Sequence, residues 1–290
     1  MVEGGDDALL GLDARSELLS HLVRGRYRYE AEGRVRAEAA GFPMTGRTLV
    51  GLAIEAPGVP PEEIRSVVAR SAAAARLDLL MGLDCTGLLS LAPGRDPLEV
   101  LCTWSERLRR ELGAAVIGLG EPVTALSTIR GSLLDAASAV RAETAAGGRR
   151  PVVRLIDVRV RGLLAQLVRD PRLQGFVERE LGPLLDSDHA TELDALRAYL
   201  AEGRNKSAAA QAVRVSRPAF YARLRRAAAM LDADLDDPET CLSLQLALLG
   251  QEIAATDQPV ARVGPANCGD ALARLSELES VDSLRIAARY

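Results

Sequence analysis

The chain has 290 residues, 48% of them hydrophobic and 26% charged, with a formal net charge of -4 at pH 7; this excludes a disordered chain and leaves room for two domains. Cys85, Cys102, Cys241 and Cys268 are widely spaced with no C-x-x-C pair, and His21 and His189 are the only imidazoles, which excludes a disulfide framework and argues against a structural zinc site. No uninterrupted apolar run approaches the roughly 18 residues a membrane helix needs, and the acidic start MVEGGDDALLGLDARSE lacks the pattern of a secretory signal, so a cytoplasmic protein without metal or cofactor is expected.

Residues 1–46 read as lead-in helices, because Leu18, Leu19, Leu22 and Val23 recur at helical spacing before Gly41 breaks the run. Residues 47–157 follow a β-α-β-β-α-β-α-β order. Arg47 to Ala56 is an apolar strand, and Pro60 and Pro61 then open an acidic first turn of a helix through about Ala75. Leu77 to Leu83 and Gly87 to Pro93, separated by Asp84, Cys85 and Thr86, have hairpin spacing. A helix from Asp96 to Leu112, a strand from Ala114 to Gly120, a helix from Leu126 to Ala146 and a strand from Pro151 to Asp157 complete the set. The fold class expected is α+β: a ferredoxin-like β-α-β-β-α-β core with helices covering one face of an antiparallel sheet. Residues 158–255 carry helical patterns alone, with Leu193, Leu196, Tyr199 and Leu200 forming one apolar stripe. The last stretch, 256–290, reads as a linker and an amphipathic helix from Asp270 to Ala288.

Charge is concentrated in one place. Arg204, Lys206, Arg214, Arg217, Arg223, Arg225 and Arg226 lie between Gly203 and Ala229 with no Asp or Glu, so the remainder of the chain is acidic. Lys206 is the only lysine among 36 basic residues, a composition that looks like coding bias and carries little weight by itself. A positive segment in an acidic protein builds a local anion-binding face, for which phosphate backbone is a common target; a solvated arginine-rich helix gives the same charge pattern. Within the segment, residues 205–229 have helix-turn-helix spacing. A small-residue helix ends at Val213, Arg214 and Val215 form a break, and Ser216 is placed to cap a second helix with Pro218 in its first turn. Phe220, Leu224, Ala228 and Leu231 are expected to bury one stripe, leaving Arg217, Tyr221 and Arg225 on another face at i, i+4, i+8. Candidate DNA-contacting residues are therefore Lys206, Ser207, Arg214, Ser216, Arg217, Pro218, Tyr221, Arg225 and Arg226.

Leu196 to Leu249 resembles the carboxyl-terminal helix-turn-helix domain of the PucR/CdaR family of bacterial transcriptional regulators. The resemblance is carried by Leu196, Tyr199 and Leu200, by Asn205, Ala210, Val215 and Arg217, by Arg223 and Leu224, and by Leu235, Asp236, Pro238, Glu239, Leu242, Leu244, Ala247 and Leu248. The family commonly places a degenerate diguanylate-cyclase-like domain before this module, and Ile117 to Ala142 together with the strand order is similar to it. The resemblance implies a regulator that binds double-stranded DNA as a homodimer or higher homo-oligomer and answers to an unidentified small-molecule effector. Where the family usually has His-Arg-Asn-Thr this chain has Ser216, Arg217, Pro218 and Ala219, and the tyrosine that usually precedes the Arg-Leu pair is replaced by Ala222, with Tyr221 one place earlier. The family's effectors are bound, where known, by further amino-terminal domains; this sequence begins close to the cyclase-like domain, so the expectation is either a truncated sequence or a short member of the family.

Enzymatic readings fare poorly. Cyclase chemistry needs metal-holding carboxylates on the central hairpin, and the matching turn, Gly82 to Gly87, offers Asp84 alone on a turn type that aspartate favours anyway. Gly118 and Gly120 lack the rest of a dinucleotide fingerprint and read as a strand ending in a turn. Neither histidine has a nucleophile beside it, so both read as surface residues, and Cys102 beside Trp104 reads as packing. The competing non-enzymatic reading is a ligand-sensing or protein-interaction module that has lost operator binding.

Overall fold

A computed structural model describes the backbone of residues 4–257 and the side chains of 14–256. The chain divides into two compact units that meet at Gln166 and Leu167, further along than Asp157. The amphipathic segment expected at Asp270 to Ala288 lies outside the described residues.

The first unit opens with α1 (Gly4–Val23) and α2 (Glu30–Ala39), followed by β1 (Thr48–Glu55), α3 (Pro61–Ala74), β2 (Asp78–Met81), β3 (Thr86–Leu91), α4 (Pro97–Leu112) and β4 (Val116–Val123). Helix α5 (Ile129–Ala145), β5 (Val152–Arg154), α6 (Leu155–Val158) and α7 (Val160–Gln166) complete it. The sheet order is β2-β3-β1-β4-β5. The first four strands pair antiparallel and β5 joins β4 in parallel. The ferredoxin-like arrangement is therefore present, with one parallel strand added at its edge.

Both helices of that core open on a proline and an acidic first turn, and α4 adds a side-chain cap. Pro61 supplies a preset φ at the first position of α3 and Glu62 and Glu63 face its positive end; Asp96 caps α4 by accepting from Leu98 N–H at 3.0 Å. Val50, Leu52 and Ile54 of β1 alternate toward α3 and α4, where Ile64, Val68, Leu101, Trp104 and Leu108 close one core. The Trp104 indole N–H is satisfied by Ser71 Oγ at 2.9 Å. Cys102 points out of this stripe and is exposed, correcting its reading as a packing residue. His21, expected at the surface, is half-buried on α1 with its Nε2 3.8 Å from Glu17.

Helices cover both faces of the sheet rather than one. On the second face, Leu49, Leu80 and Leu88 meet Leu18, Leu19 and Leu22 of α1 and Ile129 and Leu133 of α5. Gly51, Gly118 and Gly120 lie under α5, and a Cβ on Gly118 or Gly120 would overlap the carbonyls of Ala136 or Ser132. The two β4 glycines thus sit inside a strand that continues to Val123, where they admit a close-lying helix, and do not end it in a turn. The register between β1 and β4 shifts between Val50 and Leu52. Ser132 of α5 fills the irregularity: its hydroxyl accepts from Gly51 N–H at 2.8 Å and donates to the Glu121 carbonyl at 2.6 Å.

The strand expected over Pro151 to Asp157 is shorter. Asp157 folds back to accept from Arg154 N–H at 3.0 Å, which caps α6 and turns the chain out of the sheet. Asp84, on the β2–β3 hairpin, accepts from Thr86 N–H at 3.2 Å and from Thr86 Oγ1 at 2.7 Å. Among the described residues no group of three or more His, Cys, Asp or Glu could hold a metal ion. Burial and the adjacent Asp84 carboxylate push the Cys85 thiol up to about 12.

The second unit, 167–255, contains α8 (Pro171–Leu181), α9 (Ala190–Ala201), α10 (Lys206–Ala212), α11 (Arg217–Leu231) and all but the last two residues of α12 (Pro238–Asp257). Leu181, Leu184, Leu196, Tyr199, Leu200, Phe220, Leu224, Leu244 and Leu248 form its core. Among the described residues no helix is long and apolar enough to cross a membrane.

Candidate nucleic-acid interface

Three short helices of the second unit, α9, α10 and α11, are joined by tight corners built from helix caps. Helix α9 ends with Gly203 at φ 60, where Gly203 N–H donates to Leu200 O at 3.2 Å and Arg204 N–H to Tyr199 O at 2.9 Å. Asn205 then caps α10, its Oδ1 accepting from Ser207 and Ala208 N–H at 3.0 and 3.1 Å. The same cap geometry closes α10: Arg214 N–H donates to Gln211 O and Val215 N–H to Ala210 O, each at 3.1 Å. Here the left-handed position, φ 55, is held by Arg214, not glycine. Ser216 caps α11, accepting from Ala219 N–H at 3.4 Å, and Pro218 fills the second helical position, where no intrahelical amide bond is lost.

Ala209 and Ala210 are buried, so α10 lies close over its neighbours. On α11 the buried residues are Phe220, Leu224 and Ala227. The stripe therefore passes through Ala227 where the sequence reading put Ala228, which is half-buried along with Leu231. The opposite face carries Arg217, Tyr221 (39% exposed) and Arg225, all exposed, in successive turns of the helix. Arg214, Ser216 and Pro218 are also exposed, next to the amino end of α11; Lys206 and Ser207 are half-buried at the start of α10.

The cations differ in their commitments. Arg226 is paired: its guanidinium meets Glu192 Oε1 of α9 through Nε at 2.8 Å and Nη2 at 2.7 Å. Burial pushes the Glu192 carboxyl up, but hydrogen bonds from Thr191 and Arg226 and the charge of Arg226 outweigh it and hold the group below its ordinary value. Arg226 thus ties α11 to α9 and has its charge neutralised in place. Lys206 lies beside aromatic rings, its Nζ 6.0 Å from the centroid of Tyr199 and 5.9 Å from that of Tyr221. Burial, with the nearby Cys241, raises the Tyr199 phenol, whose O–H donates to Leu235 O at 3.4 Å. Arg204, Arg214, Arg217, Arg223 and Arg225 have no carboxylate within ion-pair distance among the described residues. Glu192 and Tyr199 are the residues that sequence reasoning did not connect to this surface. Each acts on it across a tertiary contact, with no local pattern to announce it.

Two family profiles match the chain: one described as the PucR C-terminal helix-turn-helix domain over residues 193–249, the other as a GGDEF-like domain over residues 24–142. Among solved structures, the chain is similar to the crystal structure of a regulator of polyketide synthase expression from Bifidobacterium adolescentis. That match has 15% sequence identity and a TM-score of 0.34, covering 82% of this chain and 97% of that one. No curated protein matches the chain.

Proposed function

We propose that the chain is a transcriptional regulator of the PucR type that binds double-stranded DNA by laying α11 in the major groove, a reading supported by the match of residues 193–249 to the PucR C-terminal helix-turn-helix domain and of residues 24–142 to a GGDEF-like domain. The observation that carries this reading is the exposed row of Arg217, Tyr221 and Arg225 on a helix whose amino end is freed by the Arg214 corner. A major groove about 12 Å wide admits one helix, and side chains in the first turns of that helix reach base edges while flanking cations meet phosphates. In this reading Arg217 and Tyr221 face bases or the adjoining phosphates, and Ser216 and Pro218 set their approach. Arg214, Arg225 and Ser207 lie along the backbone, Lys206 stands at the start of α10 near the Tyr221 ring, and Arg226 acts indirectly by pinning α11. A homodimer presents two such helices about 34 Å apart, or a multiple of that, on inverted half-sites. The GGDEF-like unit then serves assembly or relay of an effector signal, without cyclase chemistry.

The test is a gel-shift titration of the full chain against salt, using genomic fragments from upstream of its own gene. Each neutralised phosphate contributes about -0.9 to the log-log slope, so a protomer using the five arginines Arg204, Arg214, Arg217, Arg223 and Arg225 gives a slope of up to about -4.5. Absent or salt-insensitive binding would refute the proposal and favour a sensing or interaction module. Arg217→Ala is expected to cost roughly 1 to 3 kcal/mol of binding if that side chain reads a base.

A further inference from the structure

The chain places its single lysine at one point of the helix-turn-helix, and its surroundings are aromatic rather than acidic. Lys206 is the first residue of α10, and the ring centroids of Tyr199 of α9 and Tyr221 of α11 lie 6.0 and 5.9 Å from its Nζ. No carboxylate among the described residues pairs with it, and it is half-buried. The two rings are not equivalent. Tyr199 is 3% exposed and anchored by its hydroxyl to Leu235, whereas Tyr221 is 39% exposed and has no hydrogen bond from its hydroxyl among the described residues. A cation within reach of one fixed and one free ring attracts both, and with the fixed ring anchoring it the free ring is held near α10, since each ring face is the negative end of a quadrupole.

We propose that Lys206 is a positioning residue: its ammonium holds the Tyr221 ring against α10 and so sets where that side chain, and the Arg217–Arg225 row beside it, meets DNA. This rests on the DNA-binding reading above but gives Lys206 a role distinct from a phosphate contact. A positioning cation and a phosphate contact both lose affinity when neutralised. They part company in the salt dependence, because only the contact releases a counterion.

The experiment has one arm without DNA. In the full chain labelled with 13C-lysine, one residue gives all the lysine signals, and its ε-methylene protons are expected upfield of their random-coil position by the ring currents. Tyr221→Leu shifts them partway back. The second arm uses a duplex selected by the wild-type chain from a random-sequence library. Lys206→Met is expected to weaken binding about 2- to 5-fold, the size of an exposed cation–π contact. The log-log salt slope should stay unchanged, and the effect should vanish in a Tyr221→Leu background, while Lys206→Arg retains most of the affinity. Lysine signals at the random-coil position overturn the proposal, as does a salt slope shallower by about 0.9 in Lys206→Met. Failure of the wild type to select any duplex overturns the DNA reading itself and removes this role with it, whatever the lysine signals show.

Discussion

Replacing Arg214 by glycine separates two properties that this residue combines. Its φ of 55 is one that a residue with a Cβ adopts at a cost of about 1–2 kcal/mol, and glycine removes that cost. Glycine also enlarges the unfolded ensemble, which offsets about 0.5–1 kcal/mol of the gain. Both corner hydrogen bonds are backbone to backbone, so they survive the change. The net expectation for Arg214→Gly is unchanged stability or a gain of up to about 1.5 kcal/mol. Its DNA salt slope should be shallower by about 0.9, because one exposed cation has gone. Urea denaturation followed by far-ultraviolet circular dichroism measures the first quantity, with fluorescence of Trp104, the only tryptophan, reporting the α+β unit separately. A gel-shift titration measures the second. A loss of more than about 1 kcal/mol would refute the strain argument, since it would show that the Arg214 side chain supports the corner. An intact fold with an unaltered slope would refute its phosphate contact.

Gly118→Ala should destabilise the α+β unit by about 3 kcal/mol or more, because the new methyl overlaps the Ala136 backbone carbonyl and α5 must lift; a midpoint within error of wild type in Trp104-monitored unfolding would contradict this. Ser132→Ala leaves Gly51 N–H and the Glu121 carbonyl without their shared partner and should cost about 1–3 kcal/mol, measured by the same unfolding curve. Arg226→Ala should cost at most about 1 kcal/mol, since Arg226 is 60% exposed and solvent screens the pair. The Glu192 carboxyl is held below its ordinary value of 4.5. Its contribution is therefore full above that pH and disappears as pH falls through the lowered folded-state value, so wild type should lose its advantage over Arg226→Ala in acid. Parallel stability curves for the two proteins from neutral to acid pH would exclude this linkage.

How much of this was legible depends on whether the information is local. The continuous apolar run from Leu49 to Ile54 in β1, the proline and acids opening α3, and the break at Arg214 are all carried within a few residues, and each produced the element expected there. The β2–β3 pairing follows from hairpin spacing. What escaped was set by distant partners. Arg226 and Glu192 are 34 residues apart in sequence, and neither has a local signature of the pairing. Gly118 and Gly120 resembled turn residues because the helix that requires them lies further along the chain. The choice of Ala227 over Ala228 in the buried stripe could not be read from residue type, because adjacent alanines are chemically identical and only packing tells them apart. Cys102 failed for a related reason: proximity to Trp104 in sequence says nothing about which way a helix turns the two side chains.

The Ser132 bridge has a practical consequence. The amide of Gly51 gives its proton to a hydroxyl carried by α5, at the place where the β1–β4 register slips, and not to a neighbouring strand. Its exchange with deuterated solvent therefore clocks the lifting of that helix rather than the fraying of the sheet. One backbone proton in the middle of β1 becomes a built-in gauge of whether α5 is seated. It requires no label, and its reading changes with any effector that tightens or loosens the helix.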